Sequence, residues 1–157
     1  MADGRRDDTR RKLAGLYLPT LAISFGQGLI LPAVPAIAGR FDVSPGLAAQ
    51  IVTAYATGRV TALLPSGLLV DRLSPGLVLL LGSTCFVGGA LIMLFSPVFW
   101  GLLAGQWLAG VGSSLWLAGR EISGLALVRP DQRGRLMSGF FGFQLAGTGL
   151  GPVAGGL

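Results

Sequence analysis

The chain has 157 residues, 52% of them hydrophobic and only 12% charged, with a mean hydropathy of +0.69. A soluble domain carries roughly 25% charged residues, so this chain cannot cover a globule with polar surface; at about 20 residues per crossing it has room for roughly five membrane helices. Its net charge of +5 comes with no histidine and a single cysteine, Cys85, which excludes a disulfide framework and removes the commonest metal ligand, while the absence of a face rich in both basic and aromatic residues argues against nucleic acid.

Residues 1–12, MADGRRDDTRRK, are polar and mixed in charge and read as a frayed cytoplasmic tail. The first apolar run covers about 13–38. Its AIA at 36–38 imitates a signal-peptide cleavage site, but the run is too long for a signal h-region, holds Pro32 and Pro35, and is followed by four more runs. The second run is about 47–70, interrupted by Arg59, and the third about 77–95. A turn at Ser96-Pro97 leads to the fourth, about 98–128, which contains Arg120-Glu121. The linker RPDQRGR at 129–135 is the most polar internal segment, and the fifth run starts near Leu136. In hydrocarbon every backbone N–H and C=O needs an internal partner, which leaves helices or closed barrels. Barrel strands alternate over about ten residues, whereas these runs are continuous and twice as long. The expected fold is therefore an all-α membrane protein, a multi-span helical bundle over 13–157.

Basic residues orient it. With the N-terminus in the cytoplasm, Arg5, Arg6, Arg10, Arg11, Lys12, Arg72, Arg129, Arg133 and Arg135 lie inside and Arg40 lies outside, a strong positive-inside bias. Five crossings then put the C-terminal end outside.

Polar residues inside the runs fall on stripes. A charge at mid-membrane costs roughly 2.5–3.5 kcal/mol, so Arg59 needs compensation. Tyr55, Arg59 and Ser66 share one helical face at i, i+4 and i+11. Arg59 reads either as a substrate or coupling-ion contact or as a structural Arg bonded to a neighbouring helix. The first run carries Thr20, Ser24 and Gln27 on one stripe; the fourth Gln106, Gly110, Ser113 and Arg120; the fifth Gln144 and Thr148. The third has Ser83, Thr84 and Cys85, which bond their own backbone or pack as small groups, so that helix faces lipid almost all round. The candidate cavity residues are Gln27, Tyr55, Arg59, Gln106, Ser113 and Gln144, and the competing reading is that such groups only glue helices together. No catalytic constellation exists within the runs, so an enzyme is not expected.

Glycine supplies the last pattern. Gly147, Gly151 and Gly155 recur every four residues near the C-terminal end, a small-residue stripe that lets helix backbones approach closely. Pro152 removes the backbone bond to Thr148. These glycines belong inside a helix and do not terminate it.

Two motifs carry a resemblance. GLLVDR, with Gly67, Leu69, Asp71 and Arg72, matches the G-x-L-x-D-R core of the motif between helices two and three of the major facilitator superfamily. Gly147, Gly151, Pro152, Gly155 and Gly156 match the G-x-x-x-G-P-x-x-G-G motif of helix five in its drug:proton antiporters. LPAVPAIA in the first run and TAYATG in the second also resemble these exporters. The resemblance implies a cytoplasmic gating latch at Asp71 and Arg72, joined by Glu121, with Asp71 near the positive start of helix three. It also implies a helix-five packing motif that shapes the cavity. The chain departs from the pattern at Ser74, Pro75 and Gly76, where the family continues with Gly and basic residues. It departs again at Gln106, where antiporters commonly carry an Arg linked to proton coupling; Arg59 and Arg120 are the candidates to replace it. Superfamily members have twelve helices in two halves of inverted repeats. The chain is accordingly expected to be the N-terminal part, helices one to five, of a secondary active exporter of small, drug-like compounds in the plasma or inner membrane. No cofactor is implied beyond a proton gradient, and the partners are the bilayer, a small-molecule substrate and a missing C-terminal half. The alternatives are a metabolite carrier of the same superfamily and a transport-inactive membrane fragment.

Overall fold

The computed structural model describes the backbone of residues 2–155 and the side chains of Arg11 and of residues 13–155. Among these residues there are seven α-helices and one 3₁₀ turn: α1 (Ala2–Gly28), α2 (Ile30–Phe41), α3 (Pro45–Ala48), α4 (Gln50–Arg72), α5 (Pro75–Phe95), α6 (Phe99–Leu127), the turn Pro130–Gln132, and α7 (Arg133–Gly155). Each apolar run became a helix or a broken helix. The N-terminal segment expected to fray is instead helical from Ala2, continuous with the apolar part of α1.

Local chemistry places the breaks. α1 ends at Gly28, four residues before Pro32, which has no N–H to give the Gly28 carbonyl. At Asp42 the backbone takes φ 51°, a left-handed conformation that Asp tolerates better than most residues, and it turns the chain out of α2. The tetrapeptide Ser-Pro-Gly-Leu occurs twice and starts a helix each time. Ser44 accepts a hydrogen bond from the Leu47 N–H at 3.2 Å and Ser74 from the Leu77 N–H at 3.4 Å, with Pro45 and Pro75 at the first helical positions. Ser caps and N1 prolines favour helix initiation. Ser74 and Pro75, the departures from the family motif, thus serve to begin α5.

The fold divides into two compact units, residues 1–30 with 121–157 and residues 31–120; α6 contributes residues to both. In the first unit α1 and α7 run parallel. Tyr17 lies against Gly139, Leu21 and Phe25 against Gly147, and Gly28 against Gly151. The Tyr17 ring is 4.8 Å from Phe140 and 4.9 Å from Phe143, which anchors one end of the pair.

In the second unit α6 packs on both α4 and α5. Its glycines at 105, 112 and 119 recur every seven residues and meet α5 at Gly89, Gly82 and Leu79. The order is reversed along the two helices, so they are antiparallel. On its other side Trp107, Gly110 and Ser114 meet Gly58, Tyr55 and Arg59 of α4. A methyl group on Gly58, Gly82, Gly89, Gly110 or Gly112 would overlap backbone atoms of the facing helix. These helices approach at backbone distance, as small-residue seams allow.

Much of the outer surface of the helices is apolar. Leu64 is 83% exposed, Phe95 76% and Leu145 72%, an exposure far beyond what a water-soluble monomer tolerates. α5 buries only Val78, Gly82 and Gly89, as expected of a helix that faces lipid. Its Ser83 and Thr84 hydroxyls donate back to Leu79 and Leu81 carbonyls, both at 2.9 Å. By length and hydropathy together α5 qualifies as a crossing helix, and 13–28 with α2 qualify jointly as one broken span. α4, α6 and α7 have 23, 29 and 23 residues, about 34 Å or more at 1.5 Å per residue against a core of about 30 Å. Their Arg, Gln, Ser, Thr and Gly residues lower the mean hydropathy of their windows.

Candidate functional site

Four of the six proposed cavity residues gather where α4 meets α6. The Tyr55 hydroxyl donates to Ser113 Oγ at 2.8 Å. One turn on, Ser114 Oγ donates to the Arg59 carbonyl at 2.9 Å. Gly110 makes both bonds possible, because its missing side chain lets the Tyr55 carbonyl and Arg59 amide of α4 come against it. Gln106 lies one turn before Gly110 on the same face. It is 1% exposed, and its Oε1 accepts no hydrogen bond among the described residues. Burying an unsatisfied acceptor is costly, so such a group is expected to meet a donor when the site is occupied.

Arg59 itself is half-buried, and its backbone rather than its head group holds α6. Arg120, two turns beyond Ser113 on the same stripe, is the more deeply placed cation at 1% exposure, with its guanidinium 5.4 Å from the Trp116 ring centroid. Stacking on an indole face is a favourable setting for a desolvated guanidinium. Sequence reasoning ranked Arg59 first because it sits mid-run; the i, i+4 spacing of Trp116 and Arg120 was the available sign that Arg120 also has a seat.

Gln27 and Gln144 belong to the other unit, on α1 and α7, and both are half-buried. Gln144 gives its carbonyl to the Thr148 hydroxyl at 3.0 Å.

The gating motif is placed differently from the expectation. Asp71 and Arg72 are in the last turn of α4, both exposed, and do not lie at the start of α5. The Asp71 carboxylate therefore sits at the negative end of its own helix, while Arg72 suits that end. The N-terminus of α5 is capped by Ser74 instead. Leu69 packs on the cluster of Val70, Val78 and Leu115, and Gly67 has open space around it. Glu121 is half-buried on α6 and falls in the other unit from Asp71 and Arg72.

In the helix-five motif, Gly147 and Gly151 are buried against α1. A side chain on Gly147 would meet the Leu21 carbonyl and the Phe25 amide, and one on Gly151 would meet Gly28. Pro152 frees the Thr148 carbonyl from its helical donor, and that oxygen lies where a Gly28 side chain would begin. Gly155 is exposed, and Gly156 lies outside the described residues. Gly28 was missed in the sequence reading, as was the seven-residue glycine series of α6. Their periodicity was visible, but their partners were not.

Long helices with apolar outer faces, backbone-close glycine seams and a charged stripe within one seam define a helical membrane protein. The chain belongs to the Major Facilitator Superfamily, which matches it over residues 16–157. That is a family of multi-pass membrane transporters and not of enzymes. The chain is 28% identical over 141 residues to the uncharacterized MFS-type transporter YcaD of Escherichia fergusonii, covering 90% of this chain and 36% of that one. It is 26% identical over 160 residues to the uncharacterized MFS-type transporter C18.02 of Schizosaccharomyces pombe, covering 94% of this chain and 36% of that one. The chain thus spans about a third of the length of these curated relatives. No solved structure matches it.

Proposed function

We propose that the chain is the N-terminal part, 13–157, of a secondary active exporter that moves small drug-like compounds by alternating access, driven by a proton gradient. It crosses the plasma or inner membrane five times, as 13–28 with α2, then α4, α5, α6 and α7, with the 1–12 segment in the cytoplasm. The parallel pair α1–α7 and the antiparallel pair α5–α6 are what alternate crossings require. The observation that carries the export reading is the Gly147, Gly151 and Pro152 series, buried against α1 at backbone distance. A seam this tight admits no solvent between the two helices. The transported compound contacts Tyr55, Arg59, Gln106 and Ser113 on α4 and α6; Gln27 and Gln144, on α1 and α7, are separate candidate contacts. Asp71, Arg72 and Glu121 act at the cytoplasmic gate. The remaining helices of the parent protein complete the pathway.

The test is efflux from cells expressing a full-length parent. A fluorescent drug-like dye is expected to leave faster than in a vector control, and a protonophore is expected to abolish the difference. Unchanged dye retention across a panel of such compounds contradicts the export reading. A metabolite carrier of the same superfamily is favoured by one feature, the neutral Gln106 where antiporters commonly hold an Arg. Uptake of a metabolite without dye efflux would select it. A transport-inactive fragment is the outcome if neither activity exceeds the control.

A further inference from the structure

The α4–α6 stripe has a sign. Where α4 meets α6 its polar members include Tyr55, Arg59, Gln106, Ser113 and Ser114, with the Arg59 guanidinium and no carboxylate. The acidic residues within 31–120 are Asp42 and Asp71, both exposed and both at helix ends. Among the described residues Arg59 makes no ion pair. Tyr55 and Ser113 already satisfy each other at 2.8 Å. What the stripe offers to a ligand is therefore the Arg59 head group, which attracts negative charge, and the buried Gln106 Oε1, which accepts from a donor. In a medium of low dielectric a fixed positive charge favours anions and repels cations far more strongly than in water.

We infer that this stripe selects small organic anions carrying a hydrogen-bond donor, in preference to the cationic compounds that many exporters expel. The inference rests on the reading that Tyr55, Arg59, Gln106 and Ser113 contact the transported compound. The anionic group pairs with Arg59, and an O–H or N–H of the same molecule donates to Gln106 Oε1.

The experiment uses a full-length parent in phosphatidylcholine nanodiscs, so that the lipid carries no net charge. Equilibrium dialysis compares 4-hydroxybenzoate with 4-hydroxybenzylammonium, after subtraction of binding to empty nanodiscs. The unsubstituted parent is expected to bind the anion at least tenfold more tightly. Arg59→Gln, with helical circular dichroism unchanged, brings the ratio near one, and Arg59→Lys restores the preference. The ratio in the unsubstituted parent is decisive even where Arg59→Gln does not fold. Equal or tighter binding of the cation overturns the charge selection and leaves the contact reading standing. An anion preference that survives Arg59→Gln overturns the role given to Arg59. Binding of neither probe overturns the site, and the contact reading with it.

Discussion

The α1–α7 seam and the α4–α6 seam are both built on glycine, and both let helices touch at backbone distance. They differ in what lies beside the glycines. Around Gly28, Gly147 and Gly151 the neighbours are Leu21, Ser24, Phe25, Pro152 and carbonyl oxygens, and Tyr17, Phe140 and Phe143 pack at one end. Around Gly58 and Gly110 the neighbours are a Tyr–Ser hydrogen bond, a Ser–carbonyl bond, a buried Gln and Arg59. Close approach alone therefore does not identify a functional surface. The first seam is dry, and side-chain shape decides it. The second holds the Arg59 guanidinium, and a charge at mid-membrane costs roughly 2.5–3.5 kcal/mol on insertion scales.

The sharpest break of this comparison comes from bulk in the dry seam. Gly151→Leu drives a side chain into Gly28 and is expected to destabilise the helix pair by about 3 kcal/mol or more. Unfolding of the chain in mixed micelles by increasing denaturing detergent measures it. Gly142→Leu, on the same helix but with open space around it, should change stability by less than about 0.5 kcal/mol. Equal effects at the two positions would mean that α7 does not lie on α1 as described.

Charge in the other seam comes next. Arg59→Gln in a full-length parent is expected to lower transport about tenfold, the effect of losing about 1.4 kcal/mol of interaction, while leaving the level of protein in the membrane unchanged. Initial rates in inverted vesicles would read it. A parallel fall in protein level and activity would make Arg59 structural.

Hydroxyl bonds are smaller. Tyr55→Phe removes the bond to Ser113, and hydrogen bonds between membrane helices average about 0.6 kcal/mol. The same unfolding assay should show a loss of that size, and Ser113→Ala should add little to it in the double variant. The smallest effect belongs to the exposed pair Arg129–Asp131 at 3.3 Å. Arg129→Ala should shift stability by no more than about 0.5 kcal/mol, as solvent-exposed ion pairs contribute little.

Much of this architecture was legible because hydrocarbon permits so few backbone solutions. The five apolar runs, the polar interruption at 129–135 and the stripe of Gln106, Gly110, Ser113 and Arg120 could be read from periodicity. The buried face of α7 could also be read, since Gly147 and Gly151 announce close packing. Partners could not be read. Periodicity gives a face but not what covers it, so Gly28 and the pairing of Gly82 and Gly89 with the α6 glycines stayed hidden. Asp71 was expected near the start of helix three, as the resemblance implies. The turn comes one residue after Arg72, and the helix keeps its last turn through both charged residues. The 2–12 stretch is polar enough to fray, yet it extends a helix that has an apolar body to propagate from.

Whether the helices cross the bilayer in alternation is tested most directly by labelling in intact cells. Cys85 is replaced by Ala, and single cysteines are placed at Arg40 and at Arg133. A membrane-impermeant maleimide should label the first from outside at once and the second only after the membrane is permeabilised. Labelling of both from the same side would contradict the account.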